Sequence, residues 1–132
     1  SYLGLSIGCI TNKIDDIDGQ YLIKYHIYMF SRIHTMKFQN ELAKVSMKGT
    51  LKSILNNAYK EGLCYTTIVD VNKTTLYFVN TWVDEKASDK FHKTNIDIVK
   101  QIKDMGVNLV IDGGKSETIY EDDLLLDFFN KP

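Results

Sequence analysis

The stretch that decides the fold of this chain is TLYFVNTW, residues 75–82, which is continued by VDEKASDKFH, residues 83–92. Residues 75–82 are rich in β-branched and aromatic side chains, which favours a β-strand that ends at Trp82, the only tryptophan. The acidic segment that follows predicts a short turn and then a helix, because acidic side chains are favoured at helix N-termini. The stretch therefore predicts a strand that leads directly into a helix carrying His92.

A long β-prone run, residues 21–34, lies upstream, after a boundary at the Asp- and Gly-rich residues 15–19. It is apolar or aromatic on both faces: Tyr25 and Ile27 belong to one face, and Tyr28 and Phe30 belong to the other. A strand of this kind is covered on both faces. We therefore expect a central strand, with helices on one side of its sheet and a partner sheet on the other.

Residues 37–60 have the three- and four-residue apolar spacing of an amphipathic helix. The positions assigned to its inner face are Phe38, Leu42, Val45, Leu51, Ile54, Leu55 and Ala58. Lys44, Lys48 and Lys52 are expected to face solvent. Gly49 weakens the middle of this helix by about 1 kcal/mol relative to Ala and marks a candidate break, and Gly62 is expected to end the helix.

The remainder of the chain predicts a hairpin, a second helix and further strands. Residues 63–71 and 74–83 alternate as strands around a turn at Asn72-Lys73, and residues 85–105 form a helix that Gly106 ends. Residues 107–111 predict a strand, residues 112–115 a turn, and residues 116–120 a further short strand. The acidic start and the Leu- and Phe-rich remainder of residues 121–132 predict a short C-terminal helix.

The element order is therefore β–α–β–β–α–β, the ferredoxin-like arrangement of the α+β class, with two helices on one face of an antiparallel sheet. The ferredoxin-like domain covers residues 20–120, with an N-terminal extension at residues 1–19 and a C-terminal helical tail at residues 121–132. The other face of the sheet also needs a cover. We expect a second copy of the chain to supply it, in a two-fold homodimer that encloses a dimeric α/β barrel.

The composition indicates one globular domain. Of the 132 residues, 44% are hydrophobic and 25% are charged, so the chain can bury a core without disulfides or a structural metal. Its 16 basic and 17 acidic residues are interspersed, so we expect no nucleic-acid partner. No apolar run reaches 18 residues, so we expect no membrane span.

The two cysteines, Cys9 and Cys64, lie far apart in sequence and belong to no metal-binding spacing. We interpret them as buried reduced thiols, and a disulfide between them is the alternative. Reduced thiols suit a reducing compartment and favour a cytoplasmic location. The chain begins at Ser1, so a targeting segment removed upstream of it is the alternative.

The strand at residues 75–82 supplies the first candidate site residues. Phe78, Asn80 and Trp82 share one face of this strand because side chains alternate with a period of two. Trp82 is either a large core residue or part of a pocket wall. Asn80 is an unusual amide in an apolar strand, and it could hold a carbonyl or hydroxyl oxygen of an aromatic ligand.

Histidines supply the candidate bases. His92 follows an inward-facing Phe91 and lies near the border of the apolar stripe, where an imidazole could bind a substrate oxygen or move a proton. The alternative is a half-exposed helix histidine that bonds a carbonyl. His26, Arg32 and His34 share the other long strand, where they form either a solvated strand end or the wall of a pocket.

Other chemistry has little support in the sequence. The three histidines lack the HxH or HxxxH spacing of a metal site. No GxSxG motif is present, and Cys64 has no neighbouring cation in sequence. The segment from Gly113 to Ser116 resembles the end of a phosphate-binding loop but lacks its upstream glycine, so a tight turn is the better interpretation. We therefore expect no metal, flavin or haem.

The strand ending in Trp82, the acidic turn, His92 and the Gly62-Leu63 entry into a strand together resemble the antibiotic-biosynthesis-monooxygenase domain family. The resemblance implies a dimeric α/β barrel with a ferredoxin-like protomer. It implies that Trp82 and Asn80 belong to the interior cavity, with His92, and it makes Arg32, His34, Phe78 and Tyr65 the candidate ligand-binding residues. In the haem-degrading branch an asparagine stands where this chain has Ser31, so haem degradation is not expected.

Three functions agree with this resemblance. The first is a cofactor-independent monooxygenase that acts on a small quinol-like or aromatic compound, whose anion itself reacts with dioxygen while the protein binds it, deprotonates it and excludes water. The second is a non-catalytic dimer that binds a small aromatic or apolar ligand. The third is a structural dimer. The fold does not choose among them, because function depends on the site.

Overall fold

The computed structural model describes residues 9–17 and 20–121, with side chains from residue 26 to residue 119. The helices and strands, in chain order, are β1 (Cys9–Ile17), β2 (Gln20–Lys37), α1 (Glu41–Ile54), a 3-10 helix (Leu55–Glu61), β3 (Leu63–Asp70), β4 (Thr75–Trp82), α2 (Glu85–Thr94), α3 (Ile96–Asp104) and β5 (Asn108–Glu121). The predicted C-terminal helix at residues 121–132 lies outside the described residues, except that Glu121 ends β5.

The sheet is antiparallel and has the ferredoxin-like strand order. β5 pairs with β2, β2 pairs with β4, and β4 pairs with β3. The extra strand β1 pairs with the first half of β2, residues 20–28, whereas β4 pairs with the second half, residues 30–37. The protein is therefore an α+β ferredoxin-like domain, as predicted, and part of the N-terminal extension forms a fifth strand on its sheet.

Local sequence signals set the helix ends. Asn40 and Asp84 are the N-caps of α1 and α2, and the side-chain oxygen of each accepts a backbone N–H at 2.8 Å. Gly62 and Gly106 have φ angles of 105° and 86°, so both adopt the left-handed conformation that glycine accommodates best. Both glycines follow helical segments, as the sequence predicts.

The first helix differs from its prediction. Residues 37–40 are not helical, Gly49 lies inside α1, and the change to 3-10 geometry occurs at Leu55. Leu42 and Val45, expected on the inner face, are 79% and 57% exposed. Lys44, expected in solvent, is buried, and its Nζ donates to the Asn72 carbonyl at 2.9 Å and contacts Asp70 at 3.0 Å. These two partners on the β3–β4 hairpin explain how a lysine is buried at this position.

The second helix is divided in two. The prediction of one helix over residues 85–105 is wrong because α2 ends at Thr94 and α3 begins at Ile96. Asn95 between them has φ −110° and ψ 22°, and its side-chain amide donates to the Phe91 carbonyl at 2.8 Å. A short polar side chain that bonds the preceding turn competes with the helical backbone, and this competition explains the break.

The turn predicted at residues 112–115 is absent. These residues continue β5, which pairs with β2 without interruption from Asn108 to Glu121. A Cβ atom added to Gly113 would lie 3.1 Å from Cζ of Phe30, so the glycine lets this strand pass beneath the phenyl ring. Pairing along the length of β2 therefore prevails over the local turn preference of two glycines.

The helices cover one face of the sheet, which we call the covered face. The core lies there and includes Met36, Leu51, Leu76, Phe78, Trp82, Ile102 and Leu109. We call the opposite face the open face. None of the helices in the described part of the chain combines the length and apolar content that a bilayer span requires.

Candidate functional site

A cavity of about 70 Å³ lies on the covered face, between the sheet and the helices α2 and α3. Six of the seven candidate site residues line it, namely Arg32, His34, Phe78, Asn80, Trp82 and His92. Sheet register brings the strand residues together, because Arg32 is directly opposite Asn80 and His34 is opposite Phe78. The remaining lining comes largely from apolar side chains of α1, α2 and α3. The part that these residues play in binding or catalysis stays a prediction.

His34 is a neutral imidazole with a fixed tautomer. Its Nδ1 lies 3.1 Å from the Phe78 carbonyl oxygen, and a carbonyl can only accept, so Nδ1 carries the proton and Nε2 keeps its lone pair. Burial lowers the pKa of His34 from 6.5 to about 4, the bond to Phe78 opposes this, and the nearby His92 and Arg32 reinforce it. His34 therefore offers the cavity a hydrogen-bond acceptor at neutral pH.

His92 reaches the same cavity from α2. It is partly buried, and burial lowers its pKa, with a further lowering by Arg32 that Asp89 opposes. His92 is partly exposed, which agrees with the alternative of a half-exposed helix histidine, and it also lines the cavity, so its role stays a prediction. Because His92 is less buried than His34, it is the better placed of the two to exchange protons with solvent.

Arg32 connects the sheet to α2 through two residues that the sequence does not reveal. Its Nε donates to Ser88 Oγ at 2.6 Å, and its Nη2 donates to a carboxylate oxygen of Asp89. The guanidinium also lies 5.5 Å from the centre of the Phe30 ring. Ser88 and Asp89 look like ordinary polar residues of the first half of α2, so only the packing of α2 against β2 identifies them as partners of Arg32.

Asn80 and Trp82 form the floor of the cavity, and both are buried. Asn80 Oδ1 accepts from Thr66 Oγ1 at 2.9 Å. The Trp82 ring lies 5.0 Å from the Phe91 ring, centre to centre. Trp82 Nε1 is buried, and it has no hydrogen-bond partner among the described residues. Trp82 is therefore both a core residue and part of the cavity wall.

Tyr65 and His26 do not join this group. Tyr65, the seventh candidate, does not line the cavity, and its hydroxyl lies 2.7 Å from Thr118 Oγ1. Tyr65 aligns with Thr81 in the sheet and Thr81 follows Asn80, so alternation places Tyr65 on the open face. Tyr65 therefore lies apart from the six candidates that line the cavity, and its part in ligand binding stays a prediction. His26 does not line the cavity either, and its Nδ1 lies 2.6 Å from Glu117.

The structure also bears on two other kinds of site, a metal site and a reactive cysteine. In the part of the chain that the structure describes, no group of three or more His, Cys, Asp or Glu side chains has the geometry to hold a metal ion. Cys64 is free and half-buried, and burial raises the pKa of its thiol, which disfavours the reactive thiolate. Cys9 lies among residues whose side chains are not described.

The fold has solved relatives whose sequences differ widely from this chain. No family model matches the chain, and no curated protein matches it. A protein of unknown function from Nitrosomonas europaea is 12% identical with a TM-score of 0.51, over 67% of this chain and 89% of that one. A protein from Pseudomonas aeruginosa is 15% identical with a TM-score of 0.52, over 67% and 93% of the two chains. At these identities the similarity shows the fold alone.

Proposed function

We propose that the protein is a cofactor-independent monooxygenase that acts on a small hydroxylated aromatic compound of the quinol type. The observation that carries the proposal is the meeting of His34, His92 and Asn80 with the aromatic rings of Phe78, Trp82 and Phe91 in one cavity. Aromatic walls suit a planar ring, and the imidazoles and the amide suit its hydroxyl groups. The resemblance of residues 75–92 to the antibiotic-biosynthesis-monooxygenase family supports the same reaction class.

The reaction needs no group beyond the substrate, dioxygen and a base. His92 removes the proton of a substrate hydroxyl, and the His34 lone pair accepts a hydrogen bond from a second hydroxyl and orients the ring. The electron-rich anion then reduces dioxygen. One oxygen atom is added to the ring and the other leaves as water, so the quinol becomes a hydroxyquinone and supplies all the electrons itself.

The size of the cavity limits the occupant. An apolar cavity of about 150 Å³ is needed to hold a benzene ring, and this cavity has about 70 Å³. A single-ring substrate therefore requires side chains at the cavity to move. Phe91, His92 and Asn95 are partly exposed lining residues, so they are the ones expected to move.

The open face supports assembly as a homodimer. Val69, Tyr77, Thr35 and Val110 are neighbours in one row across the four strands, and Ile33 lies in the next row. The apolar members of this group are 40–52% exposed. Contiguous apolar surface of this kind marks an interaction site, and a second sheet packed upon it would give the dimeric α/β barrel.

A cytoplasmic location, which the free thiol of Cys64 suits, is part of the same proposal.

Oxygen consumption tests the function directly. Purified protein is mixed with a panel of one- and two-ring quinols, and dioxygen uptake is recorded above the rate of autoxidation. His92→Ala should lower turnover by about 10²- to 10⁴-fold, the usual contribution of general-base catalysis. His26→Ala is the matched control, because it removes an imidazole that does not line the cavity. Absence of uptake with every quinol would refute the enzyme, and equal activity of His92→Ala would refute His92 as its base.

A non-catalytic ligand-binding dimer is the second candidate. Arg32 favours it, because its charge is already paired with Asp89 and does not stabilise a substrate anion in this structure. This protein would bind a quinol or a similar ring without consuming dioxygen. Binding measured by calorimetry, together with absence of uptake, identifies it.

A further inference from the structure

The cavity contains a hydrogen-bond donor that the described part of the protein does not satisfy. Trp82 lines the cavity, is 2% exposed, and has no partner for its Nε1. An indole N–H can only donate, and a buried donor without an acceptor is destabilising. A ligand oxygen that reached this N–H, once the lining side chains had moved as a single-ring occupant requires, would remove this penalty. The nature of that oxygen depends on the other polar groups that face it.

Asn80 provides a second donor next to Trp82 on the same face of β4. Its Oδ1 already accepts from Thr66 Oγ1, so the remaining capacity of this amide is the two N–H groups of Nδ2. Nδ2 makes no hydrogen bond to another residue of the described part of the chain. The floor of the cavity thus offers donors from two neighbouring side chains, and an oxygen with several lone pairs fits it best.

Arg32 provides the charge. It is the one cationic side chain in the cavity lining, since burial keeps His34 neutral and lowers the pKa of His92. Its partner Asp89 does not line the cavity, and the Asp89 side chain is 46% exposed against 19% for Arg32. Asp89 can therefore turn into water, whereas Arg32 stays in place through its bond to Ser88. An anion that entered the cavity would take the position of Asp89 on the guanidinium.

We infer that the cavity binds a single-ring aromatic monoanion, a carboxylate or a phenolate, with its anionic oxygen replacing Asp89 as the partner of Arg32 and accepting from Trp82 Nε1. This inference builds on the proposed function and specifies the charge state of the occupant. One cation and two neutral imidazoles favour one negative charge. In an oxygenase the same contacts would hold the substrate anion, the form that reacts with dioxygen.

The test compares two probes of similar shape, benzoate and the neutral benzamide. Trp82 is the only tryptophan, so its fluorescence and its single indole N–H resonance in a ¹⁵N spectrum report on the cavity alone. Benzoate should bind roughly tenfold or more tightly than benzamide, which is the usual advantage of a charged hydrogen bond, and it should shift the indole N–H resonance. Equal binding of the two probes, or an unchanged indole resonance, overturns the inference.

Two variants separate the exchange of Asp89 from a general effect of charge. Asp89→Asn removes the competing carboxylate and should tighten benzoate binding several-fold. Asp104→Asn makes the same change on the exposed end of α3, outside the cavity lining, and should leave it unaltered. Weaker binding to Asp89→Asn, or equal effects of both variants, overturns the inference.

The outcome is independent of the oxygen-uptake experiment. If benzoate binds in this pattern and no quinol consumes dioxygen, the oxygenase proposal fails and the anion site stands. If quinols are oxidised while benzoate and benzamide bind equally, the anion site fails and the oxygenase stands.

Discussion

The covered face and the open face of the sheet are built from the same strands and differ in almost every property. Along β4, the side chains of Leu76, Phe78, Asn80 and Trp82 point to the covered face and are all buried. Tyr77 and Val79, which alternate with them, lie on the open face and are exposed and half-buried, respectively, whereas Thr75 and Thr81 at the two ends of the same row are small buried side chains. The period of two along a strand thus separates a surface for packing and chemistry from a surface for association.

Polar side chains on the two faces also have different hydrogen-bond partners. On the covered face, Arg32 is bonded to α2 and His34 to the backbone of β4, and burial lowers the pKa of His34. On the open face, Ser31 lies 3.0 Å from Thr81 and 2.9 Å from Ser116, hydroxyl to hydroxyl, in bonds that involve no charge. The comparison teaches that, among these polar groups, the charged one that reaches the cavity lies where helices exclude water, whereas the open-face hydroxyls are neutral.

The largest effect on stability is expected from truncating Trp82, the largest fully buried side chain of the covered face. Trp82→Ala deletes a 2% exposed ring that packs against Phe91, and it should lower the free energy of unfolding by about 3–5 kcal/mol. Urea denaturation measures this loss. A cost below about 1 kcal/mol would show that the ring contributes little to the core, and the distinction between the two faces would weaken.

The buried His34 should make stability depend on pH. Its pKa is about 4 in the folded protein and 6.5 in an unfolded chain, so between these values only the unfolded state binds the proton. Stability should therefore be constant above pH 6.5 and fall by about 3 kcal/mol as pH drops to 4. The lowered pKa of His92 acts in the same direction.

Urea denaturation at several pH values checks this expectation. His34→Gln should lose most of the pH dependence between 6.5 and 4, and His26→Gln, away from the cavity, should retain it. Identical pH profiles for the wild type and His34→Gln would show that the imidazole is solvated in the folded protein.

Gly113 and Gly114 lie on opposite faces of β5, so the same substitution by alanine tests the packing of each face. A Cβ on Gly113 meets the Phe30 ring at 3.1 Å on the covered face, whereas a Cβ on Gly114 meets nothing within 4 Å. Gly113→Ala should cost about 1–3 kcal/mol through overpacking, and Gly114→Ala should be close to neutral. Thermal unfolding of both variants at equal concentration measures the two losses of stability. Equal losses would contradict the faces assigned to the two glycines.

The smallest effect on folding is expected on the open face. Tyr77→Ser should change the free energy of unfolding of the protomer by about 0.5 kcal/mol or less, because the side chain is 40% exposed. The same variant should weaken the proposed dimer by roughly tenfold or more, since aromatic residues dominate interface energies. Sedimentation measures this directly. A wild-type chain that is a monomer at micromolar concentration would refute the dimer.

The sequence by itself determined the order of the main elements, the start of α2, and the glycines that follow the helical segments at residues 62 and 106. The apolar periodicity of residues 21–34 and 75–82, the glycines at 62 and 106, and the acidic entry into α2 are local signals, so they could be interpreted without knowing what they pack against. Alternation along β4 also placed Phe78, Asn80 and Trp82 on one face, and the position of His92 near the apolar stripe was sufficient to make it a candidate.

Only the tertiary structure decided which partners these residues have. Lys44 is buried and Leu42 is exposed, against their hydropathy, because the β3–β4 hairpin offers an acidic and a carbonyl partner on one side of α1. Strand β5 continues through two glycines because β2 pairs with it along its length. Arg32 meets Ser88 and Asp89 over a separation of more than 50 residues. Such long-range contacts leave no local periodicity in the chain, and the packing of the helices against the sheet alone creates them.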